Sequence, residues 1–201
     1  MNATKGAHRF TPANWVAALL TGKPVYRLGE LARLAGQSES TARRAVLRLV
    51  RRRHLVRVGK GLFANILTRD GPPTVEDISG VLYPPAYISL DAGLFMHGIC
   101  AQAPHVLTCV TTNKTKRFRT GLGEIQYHHV QPALFFGWSL TDGIPVGAAE
   151  KVILDTIYLE RQLGRDPVID EWTWDSIDIE RLRDWAKAYP ATVRAVLGVR
   201  V

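Results

Sequence analysis

A run of arginines at helical spacing is the part of this sequence whose residue types point most directly to a chemistry. At about 100° per residue, the segment 38–53 has an apolar side and an opposite polar, cationic side. The apolar side consists of Ala42, Ala45, Val46, Leu49 and Val50, the opposite side consists of Ser40, Arg44, Arg48 and Arg51, and Arg43 and Leu47 flank it. Guanidinium groups this crowded repel one another unless they meet a polyanion, and nucleic acid is the obvious candidate.

Major-groove geometry predicts roles along this helix. Its first turns would bring Ser40, Arg43 and Arg44 to base edges, where one arginine pairing a guanine gives about 1–3 kcal/mol of discrimination. Arg48 and Arg51 would meet phosphates, although spacing alone does not separate base-reading from phosphate-binding arginines. Thr41 is less well placed, and Leu47 suits a thymine methyl group. The predicted DNA contacts are Ser38, Ser40, Thr41, Arg43, Arg44, Leu47, Arg48, Arg51 and Lys60.

The flanking sequence predicts the elements that position this helix. Thr11-Pro12 opens a helix as an N-cap and first helical residue, and residues 27–35 form a second, short helix that Gly36 ends. Ser38 or Ser40 can cap the arginine helix. Two apolar runs then flank Gly59-Lys60-Gly61, which is typical of a hairpin. Three helices followed by a hairpin predict a winged helix-turn-helix domain over residues 1–70, with Lys60 at the tip of the wing.

The basic charge is confined to this part of the chain. Residues 1–69 contain 14 lysines and arginines against 2 acidic residues, whereas residues 70–201 contain 12 against 16. The excess of positive charge therefore indicates what kind of partner the first domain binds and says nothing about its fold. The alternative is a solvated helix face, in which Arg51, Arg52 and Arg53 only complement the helix dipole. That alternative does not account for Arg43, Arg44 or Lys60.

The remaining residues, 71–201, predict a mixed α/β domain with a small sheet and flanking helices, so the whole chain is expected to be α+β. Turn formers and paired prolines at 68–74 mark the boundary. Strands are predicted at 105–112 and 124–130, and helices after Ser89, from 147 to 163, and near 179–188 and 191–197. With no membrane-length apolar run, no signal peptide and only two cysteines, a cytoplasmic protein without membrane contact is expected.

Two clusters resemble catalytic or metal sites. Glu150, Lys151 and Asp155 could suggest a nuclease, but Lys151 and Asp155 at i,i+4 are more simply a surface ion pair. The pattern His97, Cys100, His105 and Cys109 resembles zinc ligation, yet its two pairs are too close in sequence for the usual fingers. Residues His128 and His129 point to opposite faces of a strand. We therefore expect no enzymatic activity, no metal and no cofactor.

A basic connection between the two predicted strands allows two interpretations. Its cations, Lys114, Lys116, Arg117 and Arg119, are interleaved with Phe118. Such a segment can bind RNA, including tRNA, or extend the contact with DNA. Equally, it can be the solvated tip of a hairpin.

Several segments resemble AbiEi-type antitoxins. Residues 87–99 resemble the family pattern Y-x-S-x-x-x-A-L-x-x-H-G-L, with Gly93 where alanine is common. The sequence Val110-Thr111-Thr112, followed by Lys116-Arg117-Phe118, resembles the family's strand and basic loop. Residues 148–158 resemble its A-x-x-E-K-A-L-L-D-x-L helix. With the winged helix, the likeness extends in order over residues of about 10 to 165.

The resemblance implies a function that composition does not reveal. Such proteins are antitoxins of type IV toxin–antitoxin systems that act in abortive infection of phage-infected bacteria. Their N-terminal domain represses the operon by binding promoter repeats, and their C-terminal domain is associated with neutralising a nucleotidyltransferase-like toxin, without a stable complex in some members. The alternative is a winged-helix transcriptional regulator whose C-terminal domain senses a small ligand or a partner and has no connection with a toxin.

Overall fold

The computed structural model describes residues 10–198, which contain eight α-helices and two β-sheets in a mixed α+β arrangement. The chain divides after Thr74 into two units, each with its own sheet. The sequence-based domains, 1–70 and 71–201, include residues 1–9 and 199–201, which lie outside the described residues. Every helix within residues 10–198 is too short or too polar to cross a bilayer.

The first unit consists of three helices and a three-stranded antiparallel sheet. Its elements are α1 (Pro12–Leu20), β1 (Val25–Arg27), α2 (Leu28–Leu34), α3 (Glu39–Arg51), β2 (Leu55–Gly59) and β3 (Leu62–Asn65). The sheet has the order β1-β3-β2, so that the hairpin predicted around Lys60 forms and a further strand, β1, joins it. Sequence periodicity did not predict β1, because three residues are too few to establish an alternation.

Local sequence explains where the helices of this unit begin. The Thr11 hydroxyl accepts the Asn14 amide hydrogen at 3.2 Å, and Pro12 follows as the first helical residue of α1. Gly36 adopts a positive φ of 61° in the turn between α2 and α3, a conformation that is easy only for glycine. The Ser38 hydroxyl then caps α3 by accepting the Thr41 amide hydrogen. The Ser38 cap fixes the start of the arginine helix.

One apolar core holds α3 in the first unit. The apolar side of the helix, including Ala45, Val46 and Leu49, packs against side chains from the other elements. These partners include Trp15, Leu19, Tyr26, Leu28, Leu31, Leu55 and Phe63. The buried Asn65 side chain ties β3 to the end of α1, since its amide donates to the carbonyl oxygens of Leu19 at 2.8 Å and Lys23 at 3.2 Å. The polar side of α3 is therefore left facing outwards.

The second unit has a six-stranded mixed sheet and five helices. Its elements are α4 (Val75–Leu82), β4 (Ala86–Ile88), α5 (Leu90–Met96), β5 (Leu107–Thr111), β6 (Lys116–Arg119), β7 (Glu124–His129), β8 (Trp138–Thr141), β9 (Ile144–Gly147), α6 (Ala149–Gln162), α7 (Ile179–Ala186) and α8 (Ala191–Leu197). The strand order is β6-β7-β5-β4-β9-β8. The pairs β5–β7 and β4–β9 are parallel, and the other pairs are antiparallel.

Helix α6 is the centre of the second unit's core. All residues from Lys151 to Tyr158 are buried, because α6 packs against α5 and β9 and also against α7 and α8. The apolar core joins Val152, Ile153 and Ile157 of α6 to residues of the sheet and of the C-terminal helices. The helices predicted near residues 147–163 and 179–188 are thus confirmed with shorter bounds, and the helix predicted at 191–197 is confirmed with the same bounds.

Candidate nucleic-acid interface

Most of the residues that were predicted from the sequence as DNA contacts lie on the outward side of α3. Every one of these side chains is exposed: Ser38, Ser40, Thr41, Arg43, Arg44, Leu47, Arg48 and Arg51 on or next to α3, and Lys60 at the hairpin tip. Leu47 is 52% exposed, which leaves its methyl groups free for an apolar contact. We name the eight exposed residues of this set that lie on or next to α3 the α3 face.

The cations of the α3 face are electrostatically unpaired. Within the described part of the chain, no carboxylate lies within ion-pair distance of Arg43, Arg44, Arg48, Arg51 or Lys60. The first unit does form an ion pair elsewhere, between Lys23 and Glu30 at 2.5 Å. The guanidinium groups of the α3 face therefore keep their full hydrogen-bonding capacity for an external anion.

Three hydroxyl groups meet at the N-terminus of α3. The Ser38 oxygen lies 2.9 Å from the Ser40 oxygen and 3.0 Å from the Thr41 oxygen, in addition to capping the helix. Ser38 therefore has a structural role, whereas Ser40 and Thr41 extend a polar surface around it. The N-terminal end of a helix carries partial positive charge and free amide hydrogens, so this end of α3 favours a phosphate.

Lys60 occupies the turn between β2 and β3. Gly61 next to it has a positive φ of 66°, which allows the tight connection, and the Arg57 side chain donates to the Gly59 carbonyl at 3.2 Å. The turn thus carries an exposed lysine on a short, hydrogen-bonded hairpin. Such a side chain can reach a phosphate or enter a minor groove.

The basic connection of the second unit is a strand, which corrects its interpretation as a hairpin tip or loop. Residues Lys116–Arg119 form the edge strand β6 and pair with β7. Arg117 and Arg119 both bind the Glu124 carboxylate, at 2.5 and 3.0 Å. The Lys116 ammonium lies 4.7 Å from the centre of the Phe118 ring. Of the predicted RNA contacts, only Lys114 has no ion pair or ring contact within the described residues.

The pair Lys151–Asp155 is fully buried, so the prediction of a surface ion pair was wrong. Both side chains are 0% exposed, because α7, α8 and the sheet cover α6 on the side where sequence spacing alone suggested solvent. Lys151 donates to Asp155 and to the Tyr189 hydroxyl. The Lys151 ammonium is also surrounded by the rings of Tyr87, Phe136 and Tyr189, whose centres lie 5.1–5.5 Å away.

The Asp155 carboxylate completes this buried network. It accepts hydrogen bonds from the hydroxyl groups of Tyr87 at 2.8 Å, Ser89 at 2.9 Å and Tyr189 at 2.8 Å. Burial, followed by the charge of Asp155, raises the pKa values of Tyr87 and Tyr189 far above the ordinary tyrosine range. Burial also lowers the pKa of Lys151. Sequence spacing could not find the three hydroxyl partners, since they lie at least 34 residues from Asp155 along the chain.

The neighbouring Glu150 joins α6 to the C-terminal helices. Its buried carboxylate accepts the Asp178 amide hydrogen at 3.0 Å and lies 3.5 Å from the Arg181 guanidinium. Glu150, Lys151 and Asp155 of α6 therefore all bind other side chains or backbone groups of the fold. The residues that suggested a nuclease are therefore held by the fold and are closed to solvent.

Two residues of the zinc-like pattern, His97 and Cys109, have structural roles. The His97 ring nitrogen Nε2 lies 2.7 Å from the Gly147 carbonyl, and Cys109 is buried within β5. Burial raises the pKa of the Cys109 thiol well above its usual range. Among residues 10–198, no cluster of three or more histidine, cysteine or acidic side chains has an arrangement that could hold a metal. His128 and His129 point to opposite sides of β7, as predicted, since His128 is half-buried and His129 is exposed.

Comparisons with known proteins do not assign the chain to a family. No protein-family model matches the sequence, and no curated protein matches it.

Proposed function

We propose that the protein is a sequence-specific DNA-binding repressor of its own operon and the antitoxin of a type IV toxin–antitoxin system. The observation that carries the DNA-binding part is the α3 face, with exposed arginines that no carboxylate neutralises within the described residues. Double-stranded DNA supplies phosphates in a regular array and base edges in the major groove, which together match a helix with this charge.

The order of elements supports a winged helix-turn-helix for the first unit. Helices α2 and α3 are joined by a short turn through Gly36, and the β2–β3 hairpin follows directly. In our proposal α3 is the recognition helix and Lys60 is the tip of the wing. Arg43, Arg44 and Ser40 read base edges, whereas Arg48 and Arg51 bind phosphates.

The antitoxin part of the proposal rests on the ordered resemblance to AbiEi-type proteins. In that role the second unit counteracts a nucleotidyltransferase-like toxin of phage abortive infection, with or without a stable complex, and performs no catalysis itself. A second candidate is a winged-helix regulator whose second unit senses a ligand, and the observation that favours it is a cavity next to β7. A nucleotidyltransferase reading frame beside this gene favours the antitoxin.

The DNA-binding proposal is tested with promoter fragments that contain the repeats of the operon. We expect Arg44→Ala to weaken binding to the cognate repeat by about tenfold to a hundredfold and to leave binding to random duplex much less affected. Lys60→Ala should weaken both alike and reduce the slope of log affinity against log salt by about one. Arg183→Ala, which removes an exposed arginine from α7, is the control and should change neither. Equal losses on both duplexes would deny Arg44 a base-reading role.

The toxin-related role is tested by co-expression with the adjacent toxin. The wild-type chain should restore growth, and Arg44→Ala should retain rescue while it loses repression. If the strand β6 contacts tRNA, charge reversal at Lys116, Arg117 and Arg119 should abolish rescue without altering operator affinity. Unchanged rescue would remove the RNA contact from the proposal, and absence of rescue by the wild-type chain would favour the ligand-sensing regulator.

A further inference from the structure

A cavity of about 530 Å³ lies in the second unit between the sheet and two of its helices. Its floor is the face of β5 and β7 that carries Thr108, Gln126 and His128, and its walls come from α5 and α6. The volume falls within the range that small-molecule sites occupy. The apolar wall consists of Leu90, Leu94, Val106, Leu159 and Leu163.

The floor of the cavity carries two polar side chains that form no hydrogen bond within the described residues and whose polar atoms stay accessible from the cavity. Gln126 and His128 are half-buried, yet within residues 10–198 neither side chain has a hydrogen-bond partner. The nearby Thr108 hydroxyl differs, since it donates to the Ser89 carbonyl and accepts the Ala92 amide hydrogen. Half-buried amide and imidazole groups that remain unpaired on a concave surface are suited to hydrogen bonding with a bound molecule.

The charges around the cavity restrict what can bind. Glu160 is neutralised, because its two carboxylate oxygens accept from Arg165 at 2.6 and 2.7 Å. Asp91, on the opposite wall, has no ion pair within the described residues. The two carboxylates and the one guanidinium of the lining therefore sum to one negative charge. This charge disfavours the binding of a phosphate or carboxylate and favours a group that donates hydrogen bonds.

His128 contributes a neutral ring to this surface at pH 7. Burial lowers its pKa below the ordinary histidine value, and the negative charges of Asp91 and Glu160 oppose that shift only in part. A neutral imidazole offers one donor and one acceptor, and the Gln126 amide offers both as well. The floor can therefore form hydrogen bonds with the edge of a planar heterocycle on which donors and acceptors alternate, while the apolar wall covers the flat face of that ring.

We propose that this cavity binds the base of an amino-substituted nucleoside, as a free nucleoside or as an unpaired base of RNA. The exocyclic amine donates to the Asp91 carboxylate, and the ring nitrogens pair with Gln126 and His128. The sugar lies towards the open side, so that any phosphate remains in solvent, away from Asp91. This site is independent of the α3 face, and its failure would leave the DNA-binding proposal intact.

The test is an NMR titration of the full chain with adenosine, inosine and a single-stranded oligoadenylate of five nucleotides. Inosine has nearly the shape of adenosine, but a carbonyl oxygen replaces the amine and the neighbouring ring nitrogen carries a hydrogen. We expect adenosine to shift the side-chain amide signals of Gln126 and to bind roughly tenfold or more tightly than inosine, because inosine turns a carbonyl oxygen towards the carboxylate where the adenosine amine donates a hydrogen bond. Tighter binding of the oligonucleotide than of adenosine identifies RNA as the source, and weaker binding identifies the free nucleoside.

Two variants at exposed positions make the test specific to this cavity. Asp91→Asn keeps the shape of the side chain and removes its charge, and it should reduce adenosine affinity about tenfold. His129→Ala changes the neighbouring histidine on the other face of β7 and should leave the affinity unchanged. Equal affinity for adenosine and inosine, no saturation at millimolar concentrations, or an unaffected Asp91→Asn variant would each overturn the proposal.

Discussion

The variant Lys151→Met tests the buried network of α6 most directly. Methionine replaces the aliphatic part of the side chain, so the main change is the loss of the positive charge beside Asp155. The carboxylate would then remain fully buried without its cation. Removing one partner of a buried ion pair costs about 3–5 kcal/mol of unfolding free energy.

The expected loss of unfolding free energy lies near the lower end of that range. After Lys151→Met, Asp155 still accepts hydrogen bonds from three hydroxyl groups, which share the stabilisation of its charge. We therefore expect a loss of about 3 kcal/mol. The control is Lys187→Met, because Lys187 forms an exposed pair with Asp184 at 2.9 Å and should lose at most about 1 kcal/mol.

Urea unfolding of the full chain, followed by tryptophan fluorescence, measures both variants. Four of the five tryptophans lie in the second unit, so the fluorescence change reports mainly on that unit. Adding Asp155→Asn to Lys151→Met should cost much less than the sum of the single losses, since the two side chains interact directly. A loss for Lys151→Met no larger than that for Lys187→Met would refute the reasoning.

Two further perturbations follow from buried contacts of the second unit. Burial raises the pKa of Tyr127, so that above about pH 10 the unfolded chain releases a proton that the folded chain keeps, and stability falls as pH rises. Tyr127→Phe should make that slope shallower by about 1.4 kcal/mol per pH unit in urea unfolding at pH 10–11.5, and parallel slopes would contradict it. Gly93→Ala would bring a methyl group within 2.8 Å of a Val152 side-chain carbon and should cost about 1–3 kcal/mol. Val152→Ala should relieve much of this cost in thermal unfolding, and strictly additive losses would show that the contact is not the cause.

The arginine helix could be predicted because two independent patterns agree in it. Its apolar residues recur at helical spacing, and a serine at its start provides a cap, so its start and its buried side follow from local sequence, whereas the helix ends at Arg51, two residues before the end of the arginine run. Strands β5 and β7 were likewise predictable, since each contains an alternating or continuous apolar run of five or six residues. Local rules sufficed for these elements, but they did not predict α4, although it has eight residues.

Other elements depend on partners that are distant in sequence. The segment Lys116–Arg119 is polar and reads as a loop, but it becomes a strand because β7 offers it an edge to pair with. Strands β1 and β4 have three residues each, too few for a periodic signal. The cavity floor was equally hidden, because the roles of Gln126 and His128 follow from the packing of α5 and α6 against that face of the sheet.

The spacing of Lys151 and Asp155 correctly indicates that the two side chains meet, but it does not indicate what surrounds them. Three hydroxyl groups and three aromatic rings enclose the pair, and they come from β4, the residues between strands, and the C-terminal part of the chain. An ion pair needs such partners to offset the loss of hydration on burial. The α3 face has none within the described residues, since its arginines extend into solvent without a carboxylate or aromatic cage. The second unit therefore compensates its buried charge internally, whereas the arginines of the α3 face remain available to an external polyanion.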